Sequence, residues 1–214
     1  MDKIKIRELL NKKYERNDFK NLTQSIFKNC NYFNSPKTIN PNNDKILNFL
    51  QLGNINLSDG KNLAIFELKL RKDTNIYKNK VELRNLTAKY IDQATNHGVF
   101  VVYDNQSDDY RLTFATKYSE IDQKGIFVKK ETEAKRFSYL LGSNESCTTP
   151  AERLKYLFDL KNNAKLEDVI DAFNVDKISE EFFQTYKNLY FELYDEIDKV
   201  IKKDKSIELE FNFI

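Results

Sequence analysis

The pair Asp59-Gly60 constrains this chain more than any other feature. It joins two runs of alternating apolar residues in KILNFLQLGNINLSDGKNLAIFELKL. Asp-Gly between such runs is the strongest short-range signal for a β-hairpin, because Gly readily takes the positive φ that a tight turn needs. With Asp59 and Gly60 as the two central turn residues, Leu57 faces Asn62, Ile55 faces Ala64, Gly53 faces Phe66 and Leu52 faces Glu67. Side chains alternate across a strand, so this register predicts a core face of Ile55, Leu57, Ala64, Phe66, Leu68 and Leu70. The opposite face carries Asn54, Asn56, Leu63, Ile65, Glu67 and Lys69, which sets an acid and an amine side by side.

Helical spacing surrounds the hairpin. Ile4, Leu9 and Leu10 predict a short first helix, and Phe19, Leu22, Ile26 and Phe27 predict a second over roughly 18–29. The stretch from 31 to 43, rich in Asn and holding Pro36 and Pro41, reads as a loop. After a polar loop at 71–79, Val81, Leu83, Leu86, Tyr90 and Ile91 predict a helix running to about Asn96, which His97-Gly98 ends. Val99–Tyr103 and Arg111–Thr116 read as strands. A strand, a helix and a second strand in this order suit a βαβ crossover. The expected fold class is therefore α/β, a central mixed sheet with flanking helices over 1–140, followed by a helical segment over 141–214. In that segment Thr149, Pro150 and Glu152 mark a helix start, with Thr149 as N-cap, and a further helix is expected at 166–173. A long helix from about Ser179 spaces Phe183, Tyr186, Tyr190, Leu193, Ile197 and Val200 as a heptad seam, which predicts a docking element over 179–203 and a possible homodimer.

Composition narrows the function classes. The chain has 214 residues, 40% of them hydrophobic, enough for a sizeable core without disulfides or a structural metal. Lys and Arg number 35 against 33 Asp and Glu, a net charge of +2, so any nucleic-acid contact must come from a local basic patch. There is no run of 18 apolar residues to cross a membrane, and the first residues lack the apolar core of a signal peptide. Cys30 and Cys147 form no metal or disulfide framework and suit a reducing cytoplasm. The single His97 gives no basis for a His-rich metal site and reads as a helix-end cap. No Gly-rich phosphate loop is present, which argues against nucleotide hydrolysis.

The one site-like constellation is Glu67-Leu68-Lys69. Metal-dependent phosphodiester hydrolysis needs a carboxylate to hold Mg²⁺ or Mn²⁺ against the scissile phosphate, and an ammonium to orient the attacking water and offset developing charge. Two strand residues with one between them lie on one face, about 6–7 Å apart. Gln51 is a candidate polar member of the site, and Asn54, Glu8 or Glu15 could complete it. Asp59, at the hairpin tip, lies roughly 15 Å or more of strand away from Glu67, too far to share an ion. Arg71, Lys72, Lys78, Lys80 and Arg84 form a basic stretch after the strand, a candidate phosphate-contacting rim. Cys147 has no base beside it, so it reads as structural.

The order of elements around this tripeptide resembles the αβββαβ core of the PD-(D/E)XK nucleases. More specifically, LGNINLSDGKNLAIFELKL, NKVELRNLTAKYI and GVFVVYDNQSDDYRLTFA resemble the N-terminal region of type IIG restriction–modification enzymes. RFSYLLGSNESCTTPAERL and DAFNVDKISEEFFQTYKNLY resemble the segment that leads into their adenine-N6 DNA methyltransferase. The resemblance spans roughly 45–195, and two departures accompany it. No Pro-Asp dipeptide precedes Glu67, and the chain has neither a methyltransferase's Gly-rich cofactor turn nor its Asn-Pro-Pro-aromatic signature. It implies a Mg²⁺- or Mn²⁺-dependent endonuclease domain acting on double-stranded DNA in bacterial defence. Glu67 would be its metal ligand and Lys69 its cation, with the methyltransferase region or subunit outside this chain. The rival expectation is a nuclease-like module that binds DNA or docks on a partner without hydrolysis.

Overall fold

The computed structural model describes residues 2–40, 43–92, 96–121, 126–131 and 137–203. Its chain divides into two compact units, Met1–Asn174 and Val175–Ile214. In the first unit the order is α1 (Lys3–Leu10), α2 (Arg16–Ile26), β1 (Cys30–Thr38), β2 (Ile46–Asn56), β3 (Asn62–Leu70), α3 (Lys80–Ala88), β4 (Gly98–Asp104), β5 (Asp109–Ile121), β6 (Phe127–Glu131), β7 (Ser138–Gly142), α4 (Thr148–Asp159) and α5 (Leu166–Phe173). The second unit holds α6 (Val175–Lys203). The strands form a mixed sheet in the order β1-β2-β3-β4-β5-β6, with β7 also pairing with β5. Only β3 and β4 run parallel, joined through α3; the other pairs are antiparallel. The α/β class and the mixed sheet thus agree with expectation. The domain boundary expected near 140 falls inside β7, and α4 packs on α1, α2 and α5 within the first unit.

The hairpin forms with a register one residue away from the expected one. Its loop has three residues, Ser58, Asp59 and Gly60, with Gly60 at φ +76°. The Leu57 amide donates to the Lys61 carbonyl at 2.8 Å, so Asn56 pairs with Asn62 and Ile55 with Leu63. A left-handed Gly at the third loop position is a common alternative to the two-residue turn. A bulge between Gln51 and Gly53 slips the register once more, and Glu67 faces Leu50 rather than Leu52. Alternation within β3 depends on no partner, so its own faces are as expected. Those of β2 are not: Ile55 joins the Glu67 side, and Gln51 and Asn54 the Phe66 side.

Both faces of β3 are covered. Phe66 and Leu68 lie in a cluster with Phe49, Leu83, Val101 and Tyr103, against α3. On the other face Phe27, Phe100, Phe114 and Phe173 make a second aromatic core, tying α2 and α5 to β4 and β5. Every residue from Leu63 to Leu70 is consequently buried except Lys69, as befits a strand at the parallel centre of a sheet.

Three further segments differ from expectation. Residues 31–38 of the expected loop instead belong to the edge strand β1, whose pairing with β2 lapses between Tyr32 and Lys37. Pro36 sits in that lapse, where a missing amide costs no ladder bond. The third helix is regular only to Ala88 and continues as a 3₁₀ turn over Lys89–Asp92; residues 93–95, the rest of the expected helix, lie outside the described residues. α4 starts at Thr148 with Cys147, at φ 47°, in the cap position and no side-chain capping bond, so Thr149 is not the N-cap. Among the described residues no helix is long and apolar enough to cross a membrane.

Candidate active site

Glu67 and Lys69 project from the α1–α2 side of β3. The parallel register sets Val102 beside Glu67 and Asp104 beside Lys69, while Asn48 faces Lys69 from β2. Register partners share a face, so three neighbouring strands bring Asn48, Glu67, Lys69 and Asp104 to one place. It lies at the carboxyl ends of the parallel strands, where open α/β sheets place their ligand crevices. A cleft of about 410 Å³ opens there, lined by these four residues with Lys13, Tyr14, Glu15, Arg16 and Gln106.

The electrostatics centre on Glu67, which is 5% exposed. Its Oε2 accepts from Tyr14 Oη at 2.7 Å and Arg16 Nε at 2.8 Å, and its Oε1 accepts from Arg16 Nη2 at 2.5 Å. A carboxylate buried this deeply needs such partners, since an unpaired charge would be expelled from low dielectric. The bonds to Glu67 raise the Arg16 pKa. Burial, then the Glu67 charge, raises that of Tyr14, which keeps the phenol a donor. Asp104 is half-buried, and its pKa is raised chiefly by that burial, with the like charge of Glu67 adding. The Gln106 amide at 2.7 Å and the Lys69 charge oppose the shift. Lys13 Nζ donates to the Gln106 carbonyl at 3.2 Å and closes one side of the cleft.

The structure brings together some of the expected site residues and separates others. Glu67, Lys69 and Glu15 line the cleft. Gln51 does not: it pairs with Phe66 on the opposite face, where its Nε2 donates to Asn54 Oδ1 at 3.0 Å. Glu8 lines a separate depression with Arg7 and Lys12. Arg71, Lys72 and Lys78 are exposed in the 71–79 connection and are not among the cleft-lining residues. Lys80 and Arg84 belong to α3, which covers the other sheet face; their side chains lie outside the described residues. The cations of the cleft are instead Lys13, Arg16 and Lys69.

His97 is a strand-end residue rather than a helix cap. It exchanges hydrogen bonds with the Asn62 backbone, donating from its amide at 2.8 Å and accepting at Nδ1 at 3.1 Å. Asp59 accepts from the Leu166 amide at 3.2 Å and ties the hairpin tip to α5. Both thiols are free and buried, and burial pushes Cys30 up to about 11 and Cys147 in the same direction, which leaves them inert.

Sequence reasoning missed Tyr14, Arg16 and Asp104. The run KKYER, which leads into the first residue of α2, is a local cluster of charge around an aromatic, but its contact with Glu67 spans some 51 residues and leaves no local pattern. Asp104 was legible once β3 and β4 were aligned as parallel neighbours.

The donors suit a hard divalent cation in kind. Glu67 and Asp104 are carboxylates on adjacent strands, and Asn48 adds an amide oxygen. Mg²⁺ is commonly held by one or two carboxylates, with waters and substrate phosphates completing its shell. Among the described residues no three His, Cys, Asp or Glu side chains gather as a complete protein cage. No protein-family model and no curated protein matches the chain, so its function is argued from this chemistry.

Proposed function

We propose that this chain is the Mg²⁺- or Mn²⁺-dependent endonuclease domain of a restriction–modification system, hydrolysing phosphodiester bonds in double-stranded DNA. The observation that carries the reading is the convergence of Glu67, Lys69 and Asp104 on one sheet face, in the lining of a cleft with three cations. The order α2-β1-β2-β3-α3-β4, with β3 parallel to β4, supports it, because that is the order the resemblance implies. Asp104 supplies a second carboxylate where no Pro-Asp precedes Glu67.

The residues divide the work as follows. Glu67 and Asp104 would hold the ion, with Asn48 beside them. Bound there, the ion would act as a Lewis acid on the phosphate and lower the pKa of its water. Lys69, exposed next to Asp104, orients the attacking water and offsets charge developing on the phosphate. Lys13 and Arg16 neutralise and position the DNA backbone. Burial makes Asp104 costly as an anion, a cost that a bound cation would offset. The base-reading and methylating parts of such a system would come from a methyltransferase region or subunit outside this chain.

One observation favours a second reading. Both oxygens of Glu67 are engaged by Arg16, as they would be in a nuclease-like module that only binds DNA or docks on a partner.

Incubation with supercoiled plasmid and Mg²⁺, with and without a separate methyltransferase chain, decides between them. The nuclease reading requires nicking or linearisation that EDTA and Glu67→Gln abolish, and that Lys69→Ala slows about 10²–10³-fold. DNA binding with no cleavage by any chain establishes the second reading instead.

A further inference from the structure

Building on the nuclease reading, the occupancy of Glu67 says how its site is controlled. A divalent cation and a guanidinium both seek the lone pairs and charge of the same carboxylate, so they compete. Tyr14 does not, because a neutral phenol on one oxygen leaves lone pairs free. The group that must move is therefore Arg16 alone.

Arg16 is placed to move. Its side chain is 46% exposed where that of Glu67 is 7% exposed, so the cation faces solvent and the anion does not. It is the first residue of α2, preceded by an extended Glu15 that makes no side-chain capping bond. The cleft beside it also holds Lys13 and Lys69, an environment that admits a phosphate. A backbone phosphate offers the guanidinium the same two-pronged acceptor geometry as a carboxylate.

The geometry points to Arg16 as a displaceable latch: an internal cation that occupies the metal-binding oxygens of Glu67 in the free protein and transfers to a DNA phosphate when the duplex enters. Metal and DNA then bind cooperatively. By linkage, each raises the affinity of the other by one factor. Free protein takes up metal poorly, and the hydrolytic site is assembled only on substrate.

Mn²⁺ titrated into the full chain without nucleic acid tests this, with free Mn²⁺ followed by electron paramagnetic resonance and folding followed by thermal melting. Arg16→Gln is expected to bind Mn²⁺ at least about tenfold more tightly than the parent chain, and Arg16→Lys to fall between them. Glu67→Gln is expected to lose the site. A short duplex is expected to tighten Mn²⁺ binding by the parent chain and to change Arg16→Gln much less. Equal affinity in the parent and Arg16→Gln chains, with binding still lost in Glu67→Gln, overturns the latch and leaves the nuclease reading standing. Absence of Mn²⁺ binding in every chain, with duplex or without, overturns both. If Arg16→Gln melts out, Arg16→Lys carries the comparison, and equality with the parent chain then overturns the latch.

Discussion

Glu67 carries two demands that pull in opposite directions. As a solvated surface acid it would be dispensable for stability. Buried against Tyr14 and Arg16, it becomes a structural acceptor as well. Glu67→Ala strands the buried Tyr14 hydroxyl and is expected to cost about 1–3 kcal/mol in urea denaturation. In a Tyr14→Phe background the same substitution should cost less, because no buried hydroxyl is left unpaired and the exposed Arg16 can turn to solvent; strictly additive losses would show that the two groups do not interact. Asp104 behaves differently. Its raised pKa means that the folded chain holds this proton more tightly than the unfolded one. The contribution to stability is therefore present in acid and is lost as pH rises from the ordinary carboxylate range through the raised value. Asp104→Asn should increase stability at neutral pH and flatten that fall, as read by denaturation midpoints across the range; a decrease at neutral pH would contradict the direction of the shift.

At the level of elements, the sheet depends on where backbones approach and where rings are packed. Phe66 is 1% exposed and packs edge-on against Phe49. Phe66→Ala should cost about 3–5 kcal/mol by chemical denaturation, and a loss below about 1 kcal/mol would place Phe66 outside the core. Gly53 answers to a different constraint. A Cβ there would stand 2.2 Å from the Asn31 carbonyl oxygen and 2.8 Å from the Tyr32 Cα, both backbone atoms. Gly53→Ala should force β1 away from β2 at a cost of about 1–3 kcal/mol. Amide exchange would then speed up along β1 and hardly at all along β4.

For the molecule as a whole, the first unit contains the sheet, both aromatic layers and the cleft. A chain ending at Asn174 should fold and melt within a few degrees of the full chain; collapse of the melting transition would make α6 an integral part of the core. Within α6 the expected seam is exposed, with Phe183 and Tyr186 at 59% and Leu193 at 61%. If 179–203 docks one copy on another, sedimentation velocity will find a dimer of the full chain and a monomer of the chain ending at Asn174.

Local pattern was enough for the elements that rest on local forces. Apolar periodicity placed both N-terminal helices, the central hairpin, the strands at 99–103 and 111–116 and the helix at 166–173, and alternation put Phe66 and Glu67 on opposite faces. It also set Glu67 and Lys69 on one face. Whatever depends on a partner distant in sequence was not legible. A three-residue loop and a bulge set which residues of β2 face β3, and neither leaves a mark in the hydrophobic pattern. A polar, Pro-containing segment became an edge strand only because β2 offered it hydrogen bonds. The cleft itself is a tertiary product: Asp104 arrives through a parallel crossover, and Tyr14 and Arg16 arrive through helix packing across some 50 residues of chain. Burial then turns an ordinary surface acid into a charge that must be paired, and only the packed structure selects its partner.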